Sequence, residues 1–339
     1  ACIPGQIMRI FTADPVLIEK GAVYLRTVSL SFVLTGFTQI YYGLLKVCDH
    51  AGLSSMIGSL AVVLNIALNA VFIFGLVGMP AMGIAGAALA TVCARIFETI
   101  AVIIVVTKYK CPKLGNMLVI KDRQMHKDYW KYTTPLLVNQ IGWGGGVTMY
   151  SVIMGHMGSD ATAANSIASI VRTIIASLCW GISAGVSIII GQTLGQNKLE
   201  EAKKMGGKFV RLSIWIGAAS GLVILLLIPL VLRVITLTPQ AMYYLKFMLC
   251  MAAYYIIGNS LNSTIISGIF PAGGDTKFGM ICDVVTLWCF VVPLGMLAAF
   301  VWHAPVLLVA FILTLDEFVK IPAVYIHYVK YKWVKNITR

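Results

Sequence analysis

The side chains that could do chemistry in this chain are amides and a few acids, and they stand inside long apolar stretches. Asn65 and Asn69 are spaced i, i+4, so on a helix their amides share one face. Asn139 and Gln140 stand between Pro135 and the glycines Gly142, Gly144, Gly145 and Gly146. Asn259 and Asn262 lie in the long apolar stretch that follows Pro239. Polar groups within a membrane span are costly, so they face a cavity or a neighbouring helix. Each amide can therefore coordinate an ion, hydrogen-bond a substrate, or simply tie two helices together. Glu98 and Glu317 are acids within spans. Arg95 precedes Glu98 by three residues and Asp316 precedes Lys320 by four, spacings that let each acid pair on its own helix face. Asp283, near the start of its helix, reads first as a solvated or helix-terminal charge and only second as an ion ligand.

Other chemistry is thin. The eight cysteines form no CxxC pair and no His-linked metal spacing, and the five histidines fall near helix ends. No Gly-rich phosphate loop followed by Lys-Ser/Thr occurs. No enzyme activity, metal or cofactor is expected.

The elements that must position these residues are membrane helices. Hydrophobic residues make up 59% of the chain and charged residues 12%, against ~45–50% and ~25% in soluble domains. Runs such as 53–77, 212–232 and 283–301 meet the ~20 residues needed to cross a bilayer. The fold class is an all-α polytopic membrane protein, and soluble-enzyme readings are excluded. A helix starting at Asp14-Pro15 is predicted to run to about Lys46. Further spans are predicted at 53–77, 83–107, 127–156, 159–194, 205–234, 238–270, 276–301 and 305–329, with residues 1–12 as part of another. Basic residues gather at 108–131, 198–211 and 330–339, which places those ends and the C-terminus in the cytoplasm. The net charge of +13 thus caps spans and does not point to nucleic acid.

The pattern also occurs twice. Pro15 and Pro239 lie 224 residues apart, and Gly52 and Gly274 lie 222 apart, so the two copies keep register over a whole helix. Each is followed by a span, a Pro-containing turn (Pro80, Pro305) and a last span holding Glu98 or Glu317. This is a parallel repeat. It predicts two pseudo-symmetric helical bundles of a six-plus-six design: 1–107 as the later part of an incomplete first bundle, 108–126 as a cytoplasmic linker, 127–331 as the second six-helix bundle, and 332–339 as a basic tail. The expectation is a chain that lacks its first two helices and most of the third.

Ordered motifs then become familiar. Gly191-Gln192-Thr193-Leu194-Gly195-Gln196 with Glu201-Ala202-Lys203, the Asn65–Asn69 segment with Phe72-Ile73-Phe74-Gly75, the run from Gly83 to Thr91, and Gly273-Gly274-Asp275-Thr276-Lys277 together resemble the multidrug and toxic compound extrusion (MATE) family along essentially the whole chain. The resemblance implies a secondary antiporter that expels organic, often cationic compounds against inward flow of H+ or Na+. It sets Asn65 and Asn69 where proton-coupled relatives carry an Asn and an Asp. Asn69 cannot titrate but can still coordinate an ion or bind a substrate. It also sets Thr91 at a hydroxyl position of the same pocket, where packing among small residues is the alternative. Asn259 and Asn262 fall near an Asp of some sodium-coupled relatives, but Ser260 stands at the matching position, which argues against that sodium site.

The expected protein is a multi-pass, monomeric transporter in the inner membrane of a bacterium. Its partners are a small-molecule substrate, H+ or Na+, and the lipid bilayer, and two bundles give alternating access. A lipid-linked oligosaccharide flippase is the alternative, disfavoured because intramembrane bases are sparse (Arg95, Arg172, Lys246). A membrane protein without transport is a more distant one.

Overall fold

The computed structural model describes residues 4–6, 15–48, 50–109 and 123–336. The Asp14 cap, most of residues 1–12, positions 110–122 of the expected linker and the last three residues of the tail lie outside the described residues. No strand occurs among the described residues. The chain divides into two compact units, residues 1–121 and 122–339.

The first unit contains α1 (Pro15–Val47), α2 (Ala51–Phe74) and α3 (Gly83–Lys108). All three are long and apolar enough to cross a bilayer. α2 stops because Gly75 takes φ +71°, a left-handed cap that satisfies a helix-end carbonyl: its N–H donates to Val71 O. A side chain there would meet Ala81 N and Met79 O at 2.8 Å. The turn then folds tightly back, with Met82 N donating to Phe72 O at 2.9 Å.

The second unit holds α4 (Arg123–His156), α5 (Ser159–Gly195), α6 (Leu199–Val234), α7 (Pro239–Ala272) and α8 (Thr276–Val301). A last span follows that is broken into α9 (Val306–Leu313) and α10 (Asp316–Val329). α5 and α6 are each ~55 Å long at 1.5 Å per residue, so their ends project beyond a ~30 Å hydrocarbon core. α6 begins at Leu199, earlier than the apolar run alone indicates, because Glu200 and Glu201 favour a helix N-terminus. α7 starts as its sequence predicts. Pro239 takes the first helical position, and Thr238 Oγ1 accepts from Ala241 N at 3.1 Å while donating to Asp160 at 2.7 Å.

Apolar clusters occupy both ends of the second unit, and a third (Ile175, Cys179, Ile224, Ala252 and Ile256) lies between them beside the polar groups. One gathers Ile153, Met154, Leu245, Leu249, Val309 and Leu313. The other gathers Ile190, Leu194, Ile265, Phe270, Tyr328 and Trp333. Trp333 is fully buried and packs so close to Gly273 and Gly206 that only small residues fit there. Apolar contact brings no hydrophobic gain between helices surrounded by lipid, so close approach must come from small residues. The glycine cluster of α4 serves this role. Gly142, Gly145 and Gly146 face Val284, Trp288 and Leu287 of α8, and Trp288 Nε1 donates to Gly142 O at 3.0 Å. α4 runs unbroken through Pro135.

Gly217 and Gly221 do the same for α6 against α7; a Cβ on Gly221 would lie 2.6 Å from the Ala253 carbonyl oxygen. Gly221→Ala should therefore destabilise the solubilised protein by about 1–3 kcal/mol through overpacking. Gly144→Ala, with open space around its Cβ, should be neutral or stabilise by up to ~1 kcal/mol. Thermal unfolding in detergent checks both, and equal melting temperatures for the two variants would refute the close-packing account.

Candidate functional site

The break in the last span creates the site. Helix α9 ends at Leu313, and α10 opens with Asp316 and Glu317 in its first turn, where the positive end of the helix dipole favours carboxylates. Glu317 is 2% exposed. A carboxylate this buried is tolerable only when paired and hydrogen-bonded, and three donors besides a lysine reach it. Glu317 Oε1 accepts from Asn259 Nδ2 at 2.9 Å and from Tyr255 Oη at 3.2 Å. Glu317 Oε2 accepts from Asn262 Nδ2 at 2.8 Å and pairs with Lys320 Nζ at 3.0 Å. Asn262 Nδ2 also donates to the Glu317 carbonyl at 2.6 Å. Gly258 makes the approach possible, since a Cβ on it would lie 2.9 Å from Glu317 Cβ.

Lys320 carries the network onward. Its ammonium lies 2.9 Å from Asp283 Oδ1 on α8, and Asp283 Oδ2 accepts from Asn139 Nδ2 on α4 at 3.0 Å. Four helices are thus joined through one lysine and two carboxylates. With two acids and one base, the trio carries a formal charge of −1.

These groups line a cavity of about 350 Å³ within the second unit. Asn139, Gln140 and Trp143 come from α4, Trp180 and Ser183 from α5, and Asn259 and Asn262 from α7; Asp283, Glu317 and Lys320 complete the charged side. The two indoles meet edge to face, 6.0 Å apart at 87°. Three buried amide oxygens, Asn139 Oδ1, Asn259 Oδ1 and Asn262 Oδ1, accept from no donor among the described residues. Their nitrogens are committed to carboxylates. Part of α7 beside the cavity, Ser263–Ile269, is π-helical, a departure common at functional sites. Ser183 Oγ donates to Ser263 O at 2.6 Å there. A second cavity of about 170 Å³ lies around Arg172, whose guanidinium sits 4.9 Å from the centre of the Tyr255 ring.

Of the residues singled out by sequence, Asn139, Gln140, Asn259 and Asn262 meet on this cavity. Asn65, Asn69 and Thr91 lie in the first unit, half-buried. Asn69 Nδ2 donates to Asn65 Oδ1 at 3.0 Å, and Thr91 Oγ1 donates to Ala87 O at 3.0 Å, each within its own helix. Nearby in sequence, buried Glu98 pairs with Arg95 and accepts from Tyr42 Oη at 2.7 Å. Ser260 turns away from the cavity and donates to Ser213 O on α6 at 2.7 Å.

Two readings change. Lys320 pairs with Glu317, not Asp316, because the i, i+3 position faces the cavity; Asp316 Oδ1 is buried without a donor among the described residues. Asp283 is no solvated terminus, since α8 begins two turns earlier and Asp283 lies against Lys320. The glycines of α4 serve helix packing, while the amides just before them face the cavity. Trp143 and Trp180 carried no sequence signal beyond being large. Glu317 and Lys320 did, through their one-turn spacing.

The fold and this interior define a polytopic helical membrane protein built around a charged, amide-lined cavity. The MatE family model matches residues 1–71 and 135–297, and the chain belongs to that family, the multidrug and toxic compound extrusion (MATE) transporters. Its members are transporters and not enzymes. Among relatives, Uncharacterized transporter YisQ of Bacillus subtilis is 27% identical over 69% of this chain and 52% of its own length. Probable multidrug resistance protein YoeA of the same organism is 28% identical over 69% of this chain and 51% of its own. The chain thus spans about half the length of these relatives. A crystal structure of the Vibrio cholerae MATE transporter VcmN in the bent form matches with a TM-score of 0.76 at 16% identity, covering 96% of this chain and 73% of that one. At that identity the likeness concerns the fold.

Glu317→Leu should lower stability by about 3–5 kcal/mol, because it leaves Asn259 Nδ2 without its acceptor in the interior, takes one acceptor from Asn262 and leaves Lys320 with Asp283 alone. Glu317→Gln should cost clearly less, since it keeps acceptor and donor capacity in the same shape. Unfolding of the detergent-solubilised protein tests the order, and equal losses in both variants would show that shape alone matters.

Proposed function

We propose that this chain is the core of a secondary active antiporter that exports organic, cationic compounds in exchange for H+ or Na+ by alternating access. The observation that carries this reading is a cavity lined by Trp143 and Trp180 together with Asp283, Glu317 and Lys320, whose formal charges sum to −1. Indole faces attract cations, uncommitted amide oxygens suit both ammonium groups and hard ions, and an unbalanced carboxylate inside a membrane favours a compensating positive charge. Family membership and the relatives named for multidrug resistance support the same direction of reading. Export requires that substrate and coupling ion bind two states with different affinity, and a single negative charge that only one cation at a time neutralises provides such competition.

The proposal extends to topology and site. The C-terminus faces the cytoplasm, in keeping with the basic ends, and the first unit is the later part of a bundle related by repetition to the second. Asn65, Asn69 and Thr91 form a further polar site in the first unit, in which Asn69 contributes an oxygen and no proton.

Reconstituted in vesicles, the transporter should accumulate a cationic dye only when a proton or sodium gradient is imposed, and ATP without a gradient should have no effect. Removing the negative charge with Asp283→Asn should cut gradient-driven uptake at least tenfold. Uptake sustained by ATP alone, or undiminished in Asp283→Asn, would sink the reading.

A further inference from the structure

Lys320 is unusual for a cavity that favours cations. It is a base 8% exposed at its side chain, standing between two carboxylates on different helices, 2.9 Å from Asp283 and 3.0 Å from Glu317. Its helix begins only one turn earlier, so α10 holds both the acid and the base. The carboxylates it bridges face the interior, and so does the lysine itself. A charged group that merely tied α8 to α10 could stand outside the cavity; this one occupies its negative wall. Asp316, the other buried acid on α10, is not paired with it and does not line the cavity.

We propose that Lys320 is the resident counter-cation of this cavity: its tethered ammonium sits where a transported organic cation gains most from Asp283 and Glu317, and so sets the affinity for that cation. The inference rests on reading the cavity as a cation site and adds a specificity-determining residue to it. The lysine neutralises one of two carboxylates and leaves a single charge for the incoming ligand. A cation therefore binds weakly enough to be released, since a site that bound it too tightly would not turn over. The aliphatic stem lets the ammonium shift toward Glu317 when the ligand approaches Asp283. The ligand class is a compact monovalent ammonium bearing an aromatic ring, of a size suited to about 350 Å³, its ring against Trp143 and Trp180.

This reading predicts an effect opposite in sign to that of a structural ion pair. The probe is benzyltrimethylammonium, titrated calorimetrically into the detergent-solubilised chain at pH 8. Lys320→Gln keeps a hydrogen-bond donor but removes the charge, and should bind the probe at least tenfold more tightly than wild type. Asp283→Asn, which leaves the trio neutral, should bind it at least tenfold more weakly. If Lys320 only pins the helices, both substitutions should weaken binding. Folded, monodisperse Lys320→Gln that binds no more tightly than wild type overturns the proposal. If that variant does not fold, Lys320→Met, which keeps the stem and removes the charge, takes its place: at least tenfold tighter binding is expected, and affinity equal to or below wild type overturns the proposal. Vesicle transport by the wild-type protein separates the two layers. Gradient-driven uptake by wild type, with no gain in probe affinity in Lys320→Gln, removes the lysine proposal alone, whereas absence of gradient-driven uptake removes the reading beneath it.

Discussion

The burial of the Glu317 carboxylate organises the second unit. An ionised acid in a hydrocarbon-like interior costs several kcal/mol unless its lone pairs are met, and the surrounding structure reads as the means of meeting them. Tyr255, Asn259 and Asn262 sit on successive turns of α7, so one helix supplies three donors to one acid. Gly258 removes the side chain that would otherwise keep α10 away. The break at Thr314-Leu315 brings the start of α10 to the level of the Asn259 and Asn262 amides. Lys320 supplies the charge and hands the network to Asp283 and Asn139.

That arrangement is held by packing of another kind. Membrane helices gain little from apolar contact with each other, so α4 meets α8, and α6 meets α7, through glycines that allow near-backbone approach. Close approach fixes the depth and rotation of each helix, and rotation decides whether an amide points at a carboxylate or at lipid. Apolar clusters at either end of the unit flank the network around Glu317. The π-helical stretch Ser263–Ile269 of α7 lies beside the cavity, where a shifted backbone register alters which side chains face inward.

The chemistry follows from imbalance. A fully neutral network would be an inert structural tie; two acids against one base leave one charge unmet. Three buried amide oxygens are left without a donor among the described residues, while their nitrogens are spent on carboxylates. On the proposed reading, aromatic rings and one excess negative charge select by charge and size more than by detailed shape, in line with the relatives named for multidrug resistance.

Several features were determined by sequence alone. Apolar runs of ~20 residues with sparse charge require membrane helices, since a helix satisfies its own backbone in lipid whereas a barrel strand spans with only ~9–11 residues. Thr238-Pro239 dictates the start of α7, and Gly75 dictates the end of α2, because cap geometry depends on a few adjacent residues. The amides Asn139, Gln140, Asn259 and Asn262 were legible as candidates because polar groups within spans are costly. Their convergence was not. Asn139 and Asp283 are 144 positions apart, and Asn262 and Glu317 are 55 apart, and no local pattern encodes which face of one helix meets which face of another. Lys320 shows the limit best: local spacing allowed a bond to Asp316 or to Glu317, and only the rotation of α10 against α7 and α8 decided that the lysine turns toward Glu317 and Asp283, where it becomes part of the cavity wall.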